Sequence, residues 1–212
     1  MKKIKIVQYF VIGFIVLLLF VIFIIRFVGD AGFIHEKLKY IEERADNQET
    51  TFSDKLFLQT IYQSMIMVGS WKYPQASELL NHYCKGGKDT FYFDSKQLLA
   101  NEEVKEAIKN DKNIIIFRPL VLEKDKGKNV HVCKQFYFDF YYAFDVLSIK
   151  KTKKNSIIFY DNYFFQPLHA KKYTNFKIGA IEFQLNDGLI HIAYPDALPF
   201  ISYSESFLFS GD

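Results

Sequence analysis

Apolar positions follow different rules in different stretches of this chain. Ile6 to Ile25 (IVQYFVIGFIVLLLFVIFII) is an uninterrupted apolar run without a charge. A hydrocarbon core about 30 Å thick takes about 20 helical residues at ~1.5 Å each, and a lone segment satisfies its backbone in lipid only as a helix. The run therefore predicts a transmembrane helix over residues 6–28, behind a short cytoplasmic tail at 1–5. A signal peptide has an apolar region of roughly 7–15 residues. This run is longer, Arg26 interrupts the approach to Gly29-Asp30-Ala31, and no lipobox cysteine is present, so a retained signal-anchor is expected.

The spacing then turns helical. Phe33, Ile34, Leu38 and Ile41 are separated by charges and predict a juxtamembrane helix over Phe33–Ala45, within a 29–51 segment that ends in the polar break Asp46–Thr51. Ser53 is expected to cap a helix running to Val68 and stopped by Gly69-Ser70. Pro74 opens a second, with Ala76, Leu79, Leu80 and Tyr83 inward and Gly86-Gly87 as its stop. A third is predicted from Asp94 or Ser95 to Lys109, burying Leu98, Leu99, Val104 and Ile108.

Past Lys109 the apolar residues are the Val, Ile, Phe and Tyr of strands. Asn113–Phe117 and Ser156–Tyr160 read as strands and Val130–Ile149 as one long or two shorter ones, with Lys150–Asn155 as a solvated turn. Phe176–Leu185 and Leu189–Tyr194 flank Asn186-Asp187-Gly188, a hairpin signal. A last strand is expected over Pro199–Phe209. Helices followed by strands predict an α+β fold: an N-terminal transmembrane helix, a helical segment, then a mostly antiparallel β-sheet, with 52–212 forming one extracytoplasmic domain.

Charge changes the picture in one respect. Of 27 Lys and Arg, four (Lys2, Lys3, Lys5, Arg26) flank the apolar run, while all 24 Asp and Glu follow it. The rest of the chain is nearly neutral, which argues against nucleic acid as a partner. The lysines before the run favour a cytoplasmic N-terminus and an outward C-terminal domain, on a bacterial inner membrane. The 23 Phe and 14 Tyr read as strand formers rather than as a ligand-stacking surface.

Candidate chemistry is sparse. Cys84 and Cys133 have no metal-ligand spacing, the five histidines (35, 82, 131, 169, 191) form no i, i+4 pair, and no Gly-rich phosphate loop or GxSxG elbow occurs. No cofactor and no metal are expected. Cys84 with His131 or His169 is weighed as a nucleophile pair against a structural thiol, and the structural thiol is preferred. One segment, Tyr160–His169, offers an acid, a phenol and an imidazole at a strand end: Asp161 as base, Tyr163 as donor, His169 as acid or base.

That segment resembles the colicin M-type bacteriocins, periplasmic lipid II hydrolases with an Asp-x-Tyr-Asp motif followed closely by His-Arg. Asp161-x-Tyr163 matches the first half, and His169 falls one position short of the expected spacing. Phe164 stands for the second acid and Ala170 for the arginine. Asp139–Phe144 also resembles the strand before the motif in some toxin-like domains. The resemblance covers residues 139–169 and implies a degenerate relative of such a hydrolase or a chance match of a short motif.

The expectation for function is a membrane-anchored, non-enzymatic envelope factor of immunity or secretion type. It would contact the lipid bilayer through Ile6–Ile25 and an envelope protein through the aromatic edge of its strands. The alternative is an envelope-substrate hydrolase using Asp161, Tyr163 and His169.

Overall fold

The computed structural model describes residues 31–117, 130–132, 143–144, 146–152, 156–178 and 181–208. They fall into two compact units: residues up to Asp54 with Pro167–Leu189, and Lys55–Gln166 with the residues from Ile190 onward.

In the first unit, α1 (Ala31–Asp46) packs along β7 (Ile181–Asn186), which pairs antiparallel with β6 (Tyr173–Ile178). Ile34, Leu38 and Ile41 form the buried stripe of α1, as their spacing requires, while Phe33 stays exposed. The start of α2 (Phe52–Lys72) is capped by Thr51 rather than Ser53. Asp54 Oδ2 accepts from Thr51 N at 2.9 Å and from Thr51 Oγ1 at 2.7 Å, a reciprocal cap that closes the first turn. Burial raises the Asp54 pKa, but these bonds, with Lys37 and Arg44 beside the carboxylate, outweigh it and hold the group below its ordinary value.

The second unit carries the rest of α2, with Leu58, Ile61, Tyr62 and Met65 inward, and α3 (Pro74–Cys84). The Gly69 carbonyl accepts from Tyr73 N, so α2 runs through Gly69 and ends at Lys72, close before Pro74. At the end of α3, Gly86 N bonds Tyr83 O and Gly87 N bonds His82 O, a Schellman closure. Gly87 has φ +58°, and an added Cβ would strike the Leu198 carbonyl, so glycine is required there. The third predicted helix is two: α4 (Lys96–Leu99) and α5 (Glu102–Lys109). Asn101 breaks it, because its Oδ1 accepts from Glu103 N at 2.7 Å and Val104 N at 3.2 Å and starts a new helix.

The main sheet has the order β1-β8-β5-β4-β2-β3, with β9 (Phe207–Leu208) also on β5. Its strands are β1 (Phe91–Phe93), β2 (Ile114–Ile116), β3 (Val130–Val132), β4 (Val146–Lys151), β5 (Ser156–Tyr163) and β8 (Phe200–Ser204). It is mixed: β1 runs parallel to β8 and β2 to β3, while the pairs β2–β4, β4–β5, β5–β8 and β5–β9 are antiparallel.

Two expectations are corrected. The fold class and the transmembrane assignment included a membrane-spanning helix, and the described residues supply none: no helix among them is long and apolar enough to cross a membrane. The longest, α2, has the length but carries Asp54, Lys55, Gln59, Gln63 and Lys72. Ile6–Ile25 lies outside the described residues, as does most of 117–145. What is described is α+β with a mixed sheet.

The second correction concerns Asn186-Asp187-Gly188, which does not turn a hairpin. Neither Asp187 nor Gly188 has the positive φ that a tight hairpin turn needs. Asn186 Oδ1 accepts from Gly188 N at 2.9 Å, Asp187 binds Thr174 Oγ1 and Lys172, and the chain coils through Asp187–Leu189 into a short α6 (Ile190–Ala193). Gly188 is glycine because the Leu168 backbone occupies the place of a side chain. The hairpin forms one strand earlier, between β6 and β7.

Candidate protein-binding face

Strand alternation gives the main sheet two chemically different faces. On β5, Ile157 and Phe159 are buried, while Ile158, Tyr160 and Asn162 point the other way. On β8, Phe200, Ser202 and Ser204 are buried against an outward Ile201 and Tyr203. The inner face is held in register by polar ties as well as packing. Ser204 Oγ accepts from Phe159 N at 2.9 Å, and Ser202 Oγ donates to the Asp161 carbonyl at 3.3 Å.

The outward face carries a row of tyrosines. Tyr92 on β1 is the register partner of Tyr203 on β8, which is the partner of Tyr160 on β5. The ring centroids lie 6.5 Å and 6.0 Å apart, each pair inclined by 32°. Such cross-strand aromatic pairs contribute roughly 0.5–1.5 kcal/mol beyond area burial. The row continues through Ser148 and Ile114 on β4 and β2. Tyr203 and Tyr160 are half-buried, and Tyr92, at the sheet edge, is 70 % exposed. Ile201, 41 % exposed, and Asn162 pair beside them. Among the described residues β1 pairs only with β8, so it is an edge strand of the described sheet.

Asp161 and Tyr163 lie on the opposite, inward side of β5. Tyr163 stacks on Phe200 at 5.0 Å and meets Phe165 edge-on at 5.5 Å, so it is a member of the aromatic core around Tyr83. Asp161 is half-buried opposite Ser202. His169 sits exposed on the 3-10 turn Leu168–Ala170 of the first unit, whereas Asp161 and Tyr163 belong to the second. The three are thus not a constellation within either unit.

Other titratable groups of the second unit point to structure. Burial pushes the Cys84 thiol up to about 12, against a partial offset from its hydrogen bond with Tyr194. A thiol so placed is protonated at neutral pH and a poor nucleophile. Cys84 is free of any disulfide, and Cys133 lies outside the described residues. His191 Nε2 is 3.3 Å from the Phe165 carbonyl and Nδ1 is 3.3 Å from the Tyr83 hydroxyl. Since a carbonyl only accepts, Nε2 donates to Phe165. Burial, reinforced by the neighbouring Cys84, lifts the Tyr83 phenol to about 12. Among the described residues no group of three or more His, Cys, Asp or Glu is placed to hold a metal ion.

The tyrosine row escaped the sequence pattern because β1 is only three residues long. The alternation Phe91-Tyr92-Phe93, bounded by Asp89-Thr90 and Asp94-Ser95, is the signal that would have located it. Comparison of the chain with protein-family models, curated proteins and solved structures finds no match.

Proposed function

We propose that this chain is a non-enzymatic binding protein that engages another protein through the outward, tyrosine-lined face of its main sheet. The observation that carries this reading is the Tyr92–Tyr203–Tyr160 row, which ends in a 70 % exposed ring on an edge strand. Tyrosines suit recognition because a rigid ring buries apolar area at low entropic cost while its hydroxyl still hydrogen-bonds. The edge position of β1 in the described sheet adds a means of strand addition. The inward side chains of Asp161 and Tyr163, the engagement of both His191 ring nitrogens and the protonated Cys84 favour scaffold roles over catalysis.

Site-specific photocrosslinking in the native host tests this. A photoreactive residue replacing Tyr92 or Ile201 should give a discrete adduct with a second protein, and one replacing Asp111 or Glu78 should not. Equal yields at all four positions, or no adduct from the tyrosine face, would refute the reading.

A further inference from the structure

The second exposed apolar surface is a stripe on α2 that shares no residue with the tyrosine row. Leu56, Thr60, Gln63, Met67 and Trp71 follow the 4-3-4-4 spacing of one helix face, and all five are exposed. The stripe opposes the buried Leu58, Ile61, Tyr62 and Met65. Trp71 is 93 % exposed, Met67 58 % and Leu56 47 %. Isolated exposed apolar residues need no explanation, whereas Met67 and a bare Trp71 one turn apart, with Leu56 on the same face, mark an interaction site.

We infer that this stripe pairs with the same stripe of a second copy of the chain, antiparallel across a two-fold axis beside Gln63. Three observations select that occupant. The stripe carries no charge along its length, so two copies approach without repulsion and offer nothing to steer a charged partner. Its order is self-complementary. Reversal about Gln63–Ser64 sets Leu56 against Trp71 and Thr60 against Met67, which puts one apolar pair at each end and the uncharged Thr60, Gln63 and Met67 between them. A two-fold interface requires this reciprocity. The steps from Leu56 to Met67 also alternate as in the seam of a helix pair, and the stripe to Trp71 is about 24 Å long at ~1.5 Å per residue.

With Trp71 offering roughly 200 Å² and its neighbours less, the pair buries roughly 1,000 Å² in total, near the lower limit for a specific interface. The dimer is therefore weak and concentration-dependent.

Trp71 is the only tryptophan of the chain, so its fluorescence reports on this surface alone. On concentrating the full chain, sedimentation equilibrium should show the mass rising from 25.0 kDa towards twice that value, with the emission moving to the blue over the same range. Met67→Lys, at an exposed position, should abolish both changes while leaving the circular dichroism unaltered. Adding Thr60→Glu to Met67→Lys should restore them, because the two-fold sets each new acid against the lysine of the other copy. A monomer at all concentrations, association that survives Met67→Lys, or emission that stays constant while the mass doubles would each overturn the inference. None of these results bears on the tyrosine face, whose crosslinking is read at other residues.

Discussion

Replacing Glu42 should loosen the helix–hairpin unit by a calculable amount. Glu42 lies on α1 with its side chain 13 % exposed. Its Oε1 accepts from Tyr173 OH at 2.7 Å, Asn186 Nδ2 at 2.9 Å and Lys171 Nζ at 3.0 Å. One oxygen thereby ties the helix to the start of β6, the end of β7 and the turn before the hairpin. The amide of Asn186, a residue only 1 % exposed, decides the magnitude. A hydrogen bond to a charged group is worth about 1.5–3 kcal/mol, and the remaining partner of this amide, the Leu168 carbonyl, is 3.3 Å away. Glu42→Ala should therefore cost about 2 kcal/mol. In a chain of this size that lowers Tm by about 4–8 °C. Glu42→Gln keeps an acceptor without its charge and should cost about half as much.

The cost should also depend on pH. Burial raises the Glu42 pKa, but the bonds from Tyr173, Asn186 and Lys171 outweigh it and hold it below the ordinary value. A folded-state value below the unfolded value of about 4.3 means the carboxylate stabilises above that pH, and its contribution is lost as pH falls through the folded value. The gap between the native chain and Glu42→Gln should be full at pH 7 and close as the pH drops below about 4. Hydrogen exchange at pH 7 should show the lost protection concentrated in α1, β6 and β7. Protection unchanged there, or a gap that widens on acidification, would refute the reasoning.

Two further perturbations check other parts of the fold. Gly188→Ala forces a Cβ into the Leu168 backbone and should destabilise by about 2–3 kcal/mol, read as earlier proteolysis of the 167–189 segment; native-like resistance would show that the turn has room. Cys84, with its thiol pushed up to about 12, should resist alkylation at pH 8 until the chain is unfolded in guanidinium; mass spectrometry of its peptide showing free-thiol rates in the folded protein would contradict the burial argument.

Much of the helical part was legible in the residues because local rules decide it. The 3.6-residue spacing of Ile34, Leu38 and Ile41, Pro74 at a helix start and Gly86-Gly87 at its end each act within one turn. Strands β2 and β5 were legible for a similar reason, since Ile114–Ile116 and Ser156–Tyr160 are unbroken runs of strand formers. What failed depended on distant partners. Asn186-Asp187-Gly188 has hairpin chemistry, but Leu168, Lys172 and Thr174 claim its groups and bend it into a helical turn. Asn101 looked like a polar position inside a helix and is the cap of a new one. The parallel pairing of β1 with β8 joins segments more than a hundred residues apart, which no local pattern announces. Tyr163 read as a donor beside Asp161 because both stand at a strand end, yet alternation from Phe159 already places its ring on the buried side.

The central claim is recognition through the tyrosine face, and its most direct measurement is co-purification of the full chain from its native host. Native protein should be compared with a Tyr92→Ala/Tyr203→Ala variant and with Asp161→Asn. The account predicts a protein that accompanies the native chain and the Asp161→Asn variant in equal amount and is lost from the double-tyrosine variant, with all three equally folded by circular dichroism. Retention of that protein by the double-tyrosine variant, or its loss with Asp161→Asn alone, would contradict the account.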